Sequence, residues 1–146
     1  MRSPAVRRVV AAAIGATAIV VLAGTPAVSA VFQASPPTYL DVRESGKVVA
    51  RGAAVQIPVD VMCKYVSYSR SYLTVTVTEK VNGKVTTGTI QLADPVVCDS
   101  TIRTVNVVVP AQTRAFKKGT VAVTAVFEQY GRNDVHLTDQ AVIPVS

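Results

Sequence analysis

From Leu73 to Thr78 the chain alternates without a break between aliphatic and threonine side chains, with Leu73, Val75 and Val77 on odd positions and Thr74, Thr76 and Thr78 on even ones. A period of two sends one class to each face of a strand, and no helix can segregate them that way. The same period recurs elsewhere. Val55, Ile57, Val59, Val61 and Cys63 share one parity, as do Val105, Val107 and Val109, and again Val121, Val123, Ala125 and Phe127. Composition agrees, because residues 31–146 hold 24 valines and 13 threonines but only four leucines. β-Branched side chains fit pleated strands and lose rotamer freedom in helices, so a helix bundle is excluded.

Seven strand-like segments follow in about 108 residues. They cover roughly 38–50, 53–63, 72–78, 84–92, 102–109, 121–128 and 135–145, separated by turn residues. The first is interrupted by the Glu44-Ser45-Gly46-Lys47 turn. Asn82-Gly83 supplies the two residues of a type I′ hairpin turn, because both central positions need positive φ. In the fourth segment Ile90 and Leu92 face in. Pro58 lies on the outward parity of the second and cannot donate to a ladder, which suits an edge or a bulge. In the last, Asp139 shares the inward parity of Val135, Leu137, Ala141, Ile143 and Val145, a mismatch that an exposed edge strand would tolerate. The expected fold is all-β: an immunoglobulin-like antiparallel sandwich of about seven strands with one disulfide. Another sandwich topology or a small barrel is the alternative. The domain spans 38–146, after an extended segment over 31–37 that contains Ala34-Ser35-Pro36-Pro37.

Residues 1–30 read as a leader. Three arginines in the first eight residues precede an uncharged run from Val9 to Ala23, then Gly24-Thr25-Pro26 and the small residues Ala27-Val28-Ser29-Ala30. This is the three-part pattern of a secretory signal peptide, with cleavage expected after Ala30 and, as second choice, after Ala27. Its apolar run of about 15 residues is short of the roughly 20 that a spanning helix needs. Arg7-Arg8 invites a twin-arginine reading, but nothing after the pair completes that motif, which favours general secretion. Thr25 stands where a lipoprotein signal needs cysteine, so no lipid anchor is expected. Losing Arg2, Arg7 and Arg8 lowers the net charge from +6 to +3, too little to argue for nucleic acid or anionic membrane as a partner. A soluble, extracellular, monomeric bacterial protein is expected.

Cys63 and Cys98 both lie in the exported part, where an even pair forms a disulfide; two buried free thiols are the rival reading. If strand directions alternate, the end of the second strand and the loop before the fifth fall at one end. In the immunoglobulin arrangement those two strands are also neighbours. The pair does not match the usual bridge between the second and sixth strands, and the chain has no tryptophan, so the antibody subclass is excluded. Closing a loop of about 36 residues contributes on the order of 4 kcal/mol in the chain-entropy treatment. Two cysteines and one histidine do not complete a four-ligand zinc site.

Chemistry-bearing motifs are sparse. His136 is the only histidine, so acid–base or triad catalysis through imidazole would have to use it. It falls on an outward position with Asp134 two residues back, which reads as a solvated surface pair. No G-x-S-x-G, phosphate loop, H-E-x-x-H or EF-hand spacing is present. Asp94 and Asp99 flank Cys98 without the alternating carboxylate spacing of a calcium loop. No catalytic residue, metal or cofactor is expected.

The sharper feature is Lys64-Tyr65-Val66-Ser67-Tyr68-Ser69-Arg70-Ser71-Tyr72, with three of the five tyrosines and three serines in nine residues. Evolved binding loops use these types, since a rigid amphipathic ring gives contact area at low entropy cost and small hydroxyls adapt. Alternating strand directions bring Tyr130 and Arg132, on the last turn, to the same end as Tyr65, Tyr68, Arg70 and Tyr72. Tyr and Arg are the enriched hot-spot types at interfaces. The plainer reading has Tyr72 packing at the sandwich mouth, Tyr65 covering the disulfide and serines filling a loop. The expected function is a secreted module that binds a protein or glycan through these loops. An inhibitor of extracellular hydrolases and a structural envelope protein are the alternatives.

The Ala/Val/Arg-rich leader, the all-β domain, the two cysteines and the run Phe116-Lys-Lys-Gly119-Thr-Val-Ala-Val-Thr124 together resemble small secreted proteins of actinomycetes. The resemblance implies extracytoplasmic location and an immunoglobulin-like sandwich. It implies no catalytic or binding residues.

Overall fold

The computed structural model describes residues 38–132 and 134–146. The leader with its Ala30 cleavage site, and the extended segment 31–37, lie outside the described residues. The fold is all-β. Among the described residues eight strands form two antiparallel sheets: β1 (Tyr39–Val42), β2 (Lys47–Val49), β3 (Ala54–Met62), β4 (Arg70–Val81), β5 (Lys84–Ala93), β6 (Arg103–Pro110), β7 (Gly119–Tyr130) and β8 (Val135–Val145). In one sheet β3 is central, with β1 and β2 following each other along one side and β6 along the other. The other sheet runs β5-β4-β7-β8. Among the described residues no helix is long and apolar enough to cross a membrane.

The alternation read from sequence decides which side chains meet between the sheets. Val55, Ile57, Val59 and Val61 of β3 and Val107 and Val109 of β6 are fully buried. They share one hydrophobic core with Leu73, Val75 and Val77 of β4 and with Val121, Val123, Ala125 and Phe127 of β7. At about 25 cal/mol per Å² this burial is the main stabilising term. Ile90, Leu92, Leu137 and Ala141 are only partly buried, as expected near the flanks of two stacked sheets. Asn82 and Gly83 adopt φ of 51° and 74°, as a type I′ turn requires, and join β4 to β5.

The count is eight rather than seven because the first segment breaks in two, and Pro58 shows why. Arg43 N–H donates to the Pro58 carbonyl at 3.0 Å. An antiparallel pair of this kind needs a return bond from residue 58, which proline cannot give. Pairing therefore stops after Val42 and resumes at Lys47 opposite Gln56. So the proline sits in a central strand, opposite a gap in its neighbour, and not on the edge strand that its chemistry suggested.

Both flanks where the sheets approach are closed. On one, Gly46 N–H donates to the Pro144 carbonyl (2.9 Å) and Val48 N–H to the Ser146 carbonyl (2.9 Å), which lays β2 against the end of β8. Val42 N–H donates to Asp139 Oδ2 at 2.7 Å. The inward Asp139 is thus an acceptor for the neighbouring sheet's backbone. On the other flank the β6–β7 crossover bonds to both sheets, through Ala111 N–H to the Ala53 carbonyl (2.8 Å) and Gln112 N–H to the Thr87 carbonyl (2.9 Å).

Candidate binding surface

Cys63, one residue past β3 and 1% exposed, is bonded to Cys98 in the β5–β6 connection, with the Cα atoms 4.7 Å apart. β3 and β6 are neighbours, as the disulfide argument requires. Ser100 N–H donates to the Cys63 carbonyl (2.9 Å), and Asp99 holds the next turn by accepting from Thr101 and from Arg103 at 2.5 Å. Those donors hold the Asp99 carboxyl at about 2, below the usual 3.8.

Gln129 organises this end. It occupies an inward position of β7, is 2% exposed, and donates from Nε2 to the Lys64 carbonyl (3.0 Å) and Ser69 Oγ (3.3 Å). The same amide lies 3.8 Å from Cys98 Sγ. A Cβ on Gly131 would stand 3.3 Å from both Ser69 Cβ and Val66 Cγ1, so the β7–β8 turn rests on the β3–β4 loop. The loop, the turn and the disulfide therefore share one end of the molecule.

The six residues singled out in the sequence divide into two groups there. Tyr65 (73% exposed) and Tyr68 (fully exposed, φ 61°) project from the β3–β4 loop, and Arg132 is exposed on the turn. Arg70, Tyr72 and Tyr130 lie in strands. β4 and β7 pair three registers beyond their apolar runs, Tyr72 with Glu128, Ser71 with Gln129 and Arg70 with Tyr130, because the inward Ser71 and Gln129 find hydrogen bonds when buried. Ser71 N–H donates to Asp94 Oδ1 at 3.0 Å, and Asp94 Oδ2 also stands 3.8 Å from Arg70. Tyr130 is thus a strand residue and not part of the turn.

Tyr72 and Tyr130 meet on the outer face of the β5-β4-β7-β8 sheet, edge to face with centroids 6.0 Å apart. Glu128, opposite Tyr72 in the ladder, hydrogen-bonds the Tyr130 hydroxyl and raises its pKa. Glu128 Oε1 also lies 3.2 Å from His136 Nδ1. The histidine's partner is therefore Glu128, across the ladder, and not Asp134, which accepts from Gly131 N–H (3.0 Å). Asp94 and Asp99 serve different partners, so they do not act as a pair. Among the described residues no cluster of three or more His, Cys, Asp or Glu could hold a metal ion.

Below the tyrosine pair the outer face continues as a register of side chains across β5-β4-β7-β8. The first row is Gln91, Thr74, Val126 and Thr138. The second is Thr89, Thr76, Thr124 and Gln140, and the third is Thr87, Thr78, Ala122 and Val142. Thr76 and Thr89 share a hydroxyl–hydroxyl bond of 3.1 Å, and Gln91 Nε2 donates to Thr74 Oγ1 at 3.3 Å. None of the twelve positions is charged. The outer face of the other sheet differs, because Asp60 there pairs with Arg43 Nε at 2.7 Å and accepts from Thr104 Oγ1 at 2.6 Å.

Comparison with known proteins returned no matching family model, no matching curated protein and no matching solved structure.

Proposed function

We propose that this is an exported binding module with an immunoglobulin-like fold, and that it recognises a protein or glycan with the end carrying Tyr65, Tyr68, Tyr130 and Arg132. Export is supported by the signal-peptide pattern of residues 1–30 and by the Cys63–Cys98 disulfide, which belongs to an oxidising compartment. The immunoglobulin-like reading is supported by the strand order, in which the second and fifth of the expected segments are neighbours in one sheet and the third and sixth pair centrally in the other.

The observation that carries the binding reading is the exposure of Tyr65 (73%), Tyr68 (complete) and Tyr130 (47%) at an end held by Gln129 and the disulfide. A rigid frame lowers the entropy lost on binding, and exposed tyrosines supply contact area. The test is capture on a glycan array and from cell-wall and culture-fluid fractions, repeated with Tyr65→Ala, Tyr68→Ala and Tyr130→Ala combined. One hot-spot tyrosine is worth about 2 kcal/mol, so the triple variant should bind its partner at least about 30-fold more weakly. Equal capture by both proteins would overturn the reading. Intact-mass measurement of the exported protein checks cleavage after Ala30 and the disulfide together.

A further inference from the structure

We infer that the outer face of β5-β4-β7-β8 is a second binding surface, distinct from the loop end, and that it takes a neutral polysaccharide. The face has two properties that together narrow its partner. It presents hydroxyls and amides in register, and its three central rows carry no charge. Neighbouring strands are about 4.8 Å apart and alternate residues about 6.8 Å apart along a strand, so the array repeats in two directions.

Charge excludes the polyanions. A phosphate or uronate polymer is held by Lys and Arg, and the central row, Thr89–Thr76–Thr124–Gln140, offers none. Polarity disfavours a second copy of the chain. The core of a homodimer interface is more apolar than ordinary surface, whereas this row would bury four polar side chains against four more. A neutral polysaccharide answers both demands. Its hydroxyls donate and accept, matching threonine and glutamine, and its sugar C–H faces suit the threonine methyls. Tyr72, two residues before Thr74 on the same face of β4, adds an aromatic side chain at one end of the rows.

The experiment is depletion of the full exported protein from solution by insoluble cellulose and by insoluble chitin, with alginate as the acidic comparator. Retention is expected on at least one neutral polymer and not on alginate. Thr124→Lys combined with Thr89→Lys, both outward-facing, should weaken that retention by about tenfold or more while leaving the circular dichroism spectrum and Tm unchanged. Tyr65→Ala with Tyr68→Ala, at the loop end, should leave it intact, which separates this proposal from the one above. No retention on either neutral polymer overturns the inference, and so does retention that the lysine variant keeps. A sedimenting dimer that the lysine variant dissociates would also overturn it, by assigning the face to self-association.

Discussion

Glu79, Gln129 and Asp139 point toward the interior, and each ends on a backbone group from a distant segment. Glu79, 2% exposed in β4, accepts from Lys117 N–H through both carboxylate oxygens, at 3.0 and 3.3 Å. That contact fixes the end of the crossover just before β7. Replacing Glu79 with Ala leaves the amide without its acceptor and should cost about 1–3 kcal/mol in urea denaturation. Glu79→Gln keeps an acceptor oxygen and should cost less than half as much; equal losses would mean that the charge, not the bond, matters. Asp99 gives a pH signature. Its folded pKa of about 2 lies below the ordinary 3.8, so its contribution to stability is present above 3.8 and is lost as pH falls toward 2. Arg103→Gln should move the Asp99 titration, followed by carboxyl-carbon NMR, back toward 3.8. An unmoved titration would remove Arg103 as the cause.

Strands here are shaped as much by what interrupts them as by what extends them. Pro58 splits the first segment into β1 and β2, both of which pair with β3, and the chain between them and into β2 also bonds to the end of β8. β5 depends on a glycine for a different reason. A Cβ at Gly88 would collide with the Pro110 carbonyl oxygen and press on Val109 Cγ1 at 3.0 Å and Phe116 Cζ at 3.2 Å. The absence of a side chain is what allows β5 and β6, from different sheets, to approach so closely. Gly88→Ala should therefore destabilise by about 1–3 kcal/mol, the usual cost of overpacking. A thermal melt unchanged within error would show that the flank is loose.

At the level of the whole molecule, the sequence made the sheets legible and left the flanks obscure. Alternation in Leu73–Thr78 and Val121–Phe127 reports which side faces the core, because burial acts on each residue of a strand separately. Asp139 and Gln129 look like errors in that pattern, since their partners, Val42 N–H and the Lys64 carbonyl, lie 97 and 65 positions away. The candidate surface was legible in part for the same reason. Tyr65 and Tyr68 stand out as a local cluster, whereas the Thr76–Thr124 row exists only once β4 and β7 are in register. Removing residues 143–146 should show how much the flank contact carries, because Ile143 and Val145 are buried and the Pro144 and Ser146 carbonyls hold Gly46 and Val48. The shortened protein should be cleaved by thermolysin under conditions that leave the full chain intact; equal resistance would make that contact dispensable. The contact also spans most of the domain, since Gly46 and Val48 each bond to a carbonyl 98 positions later in the chain. Closing so long a loop is entropically costly, so this flank can form only once the two sheets have brought its distant ends together.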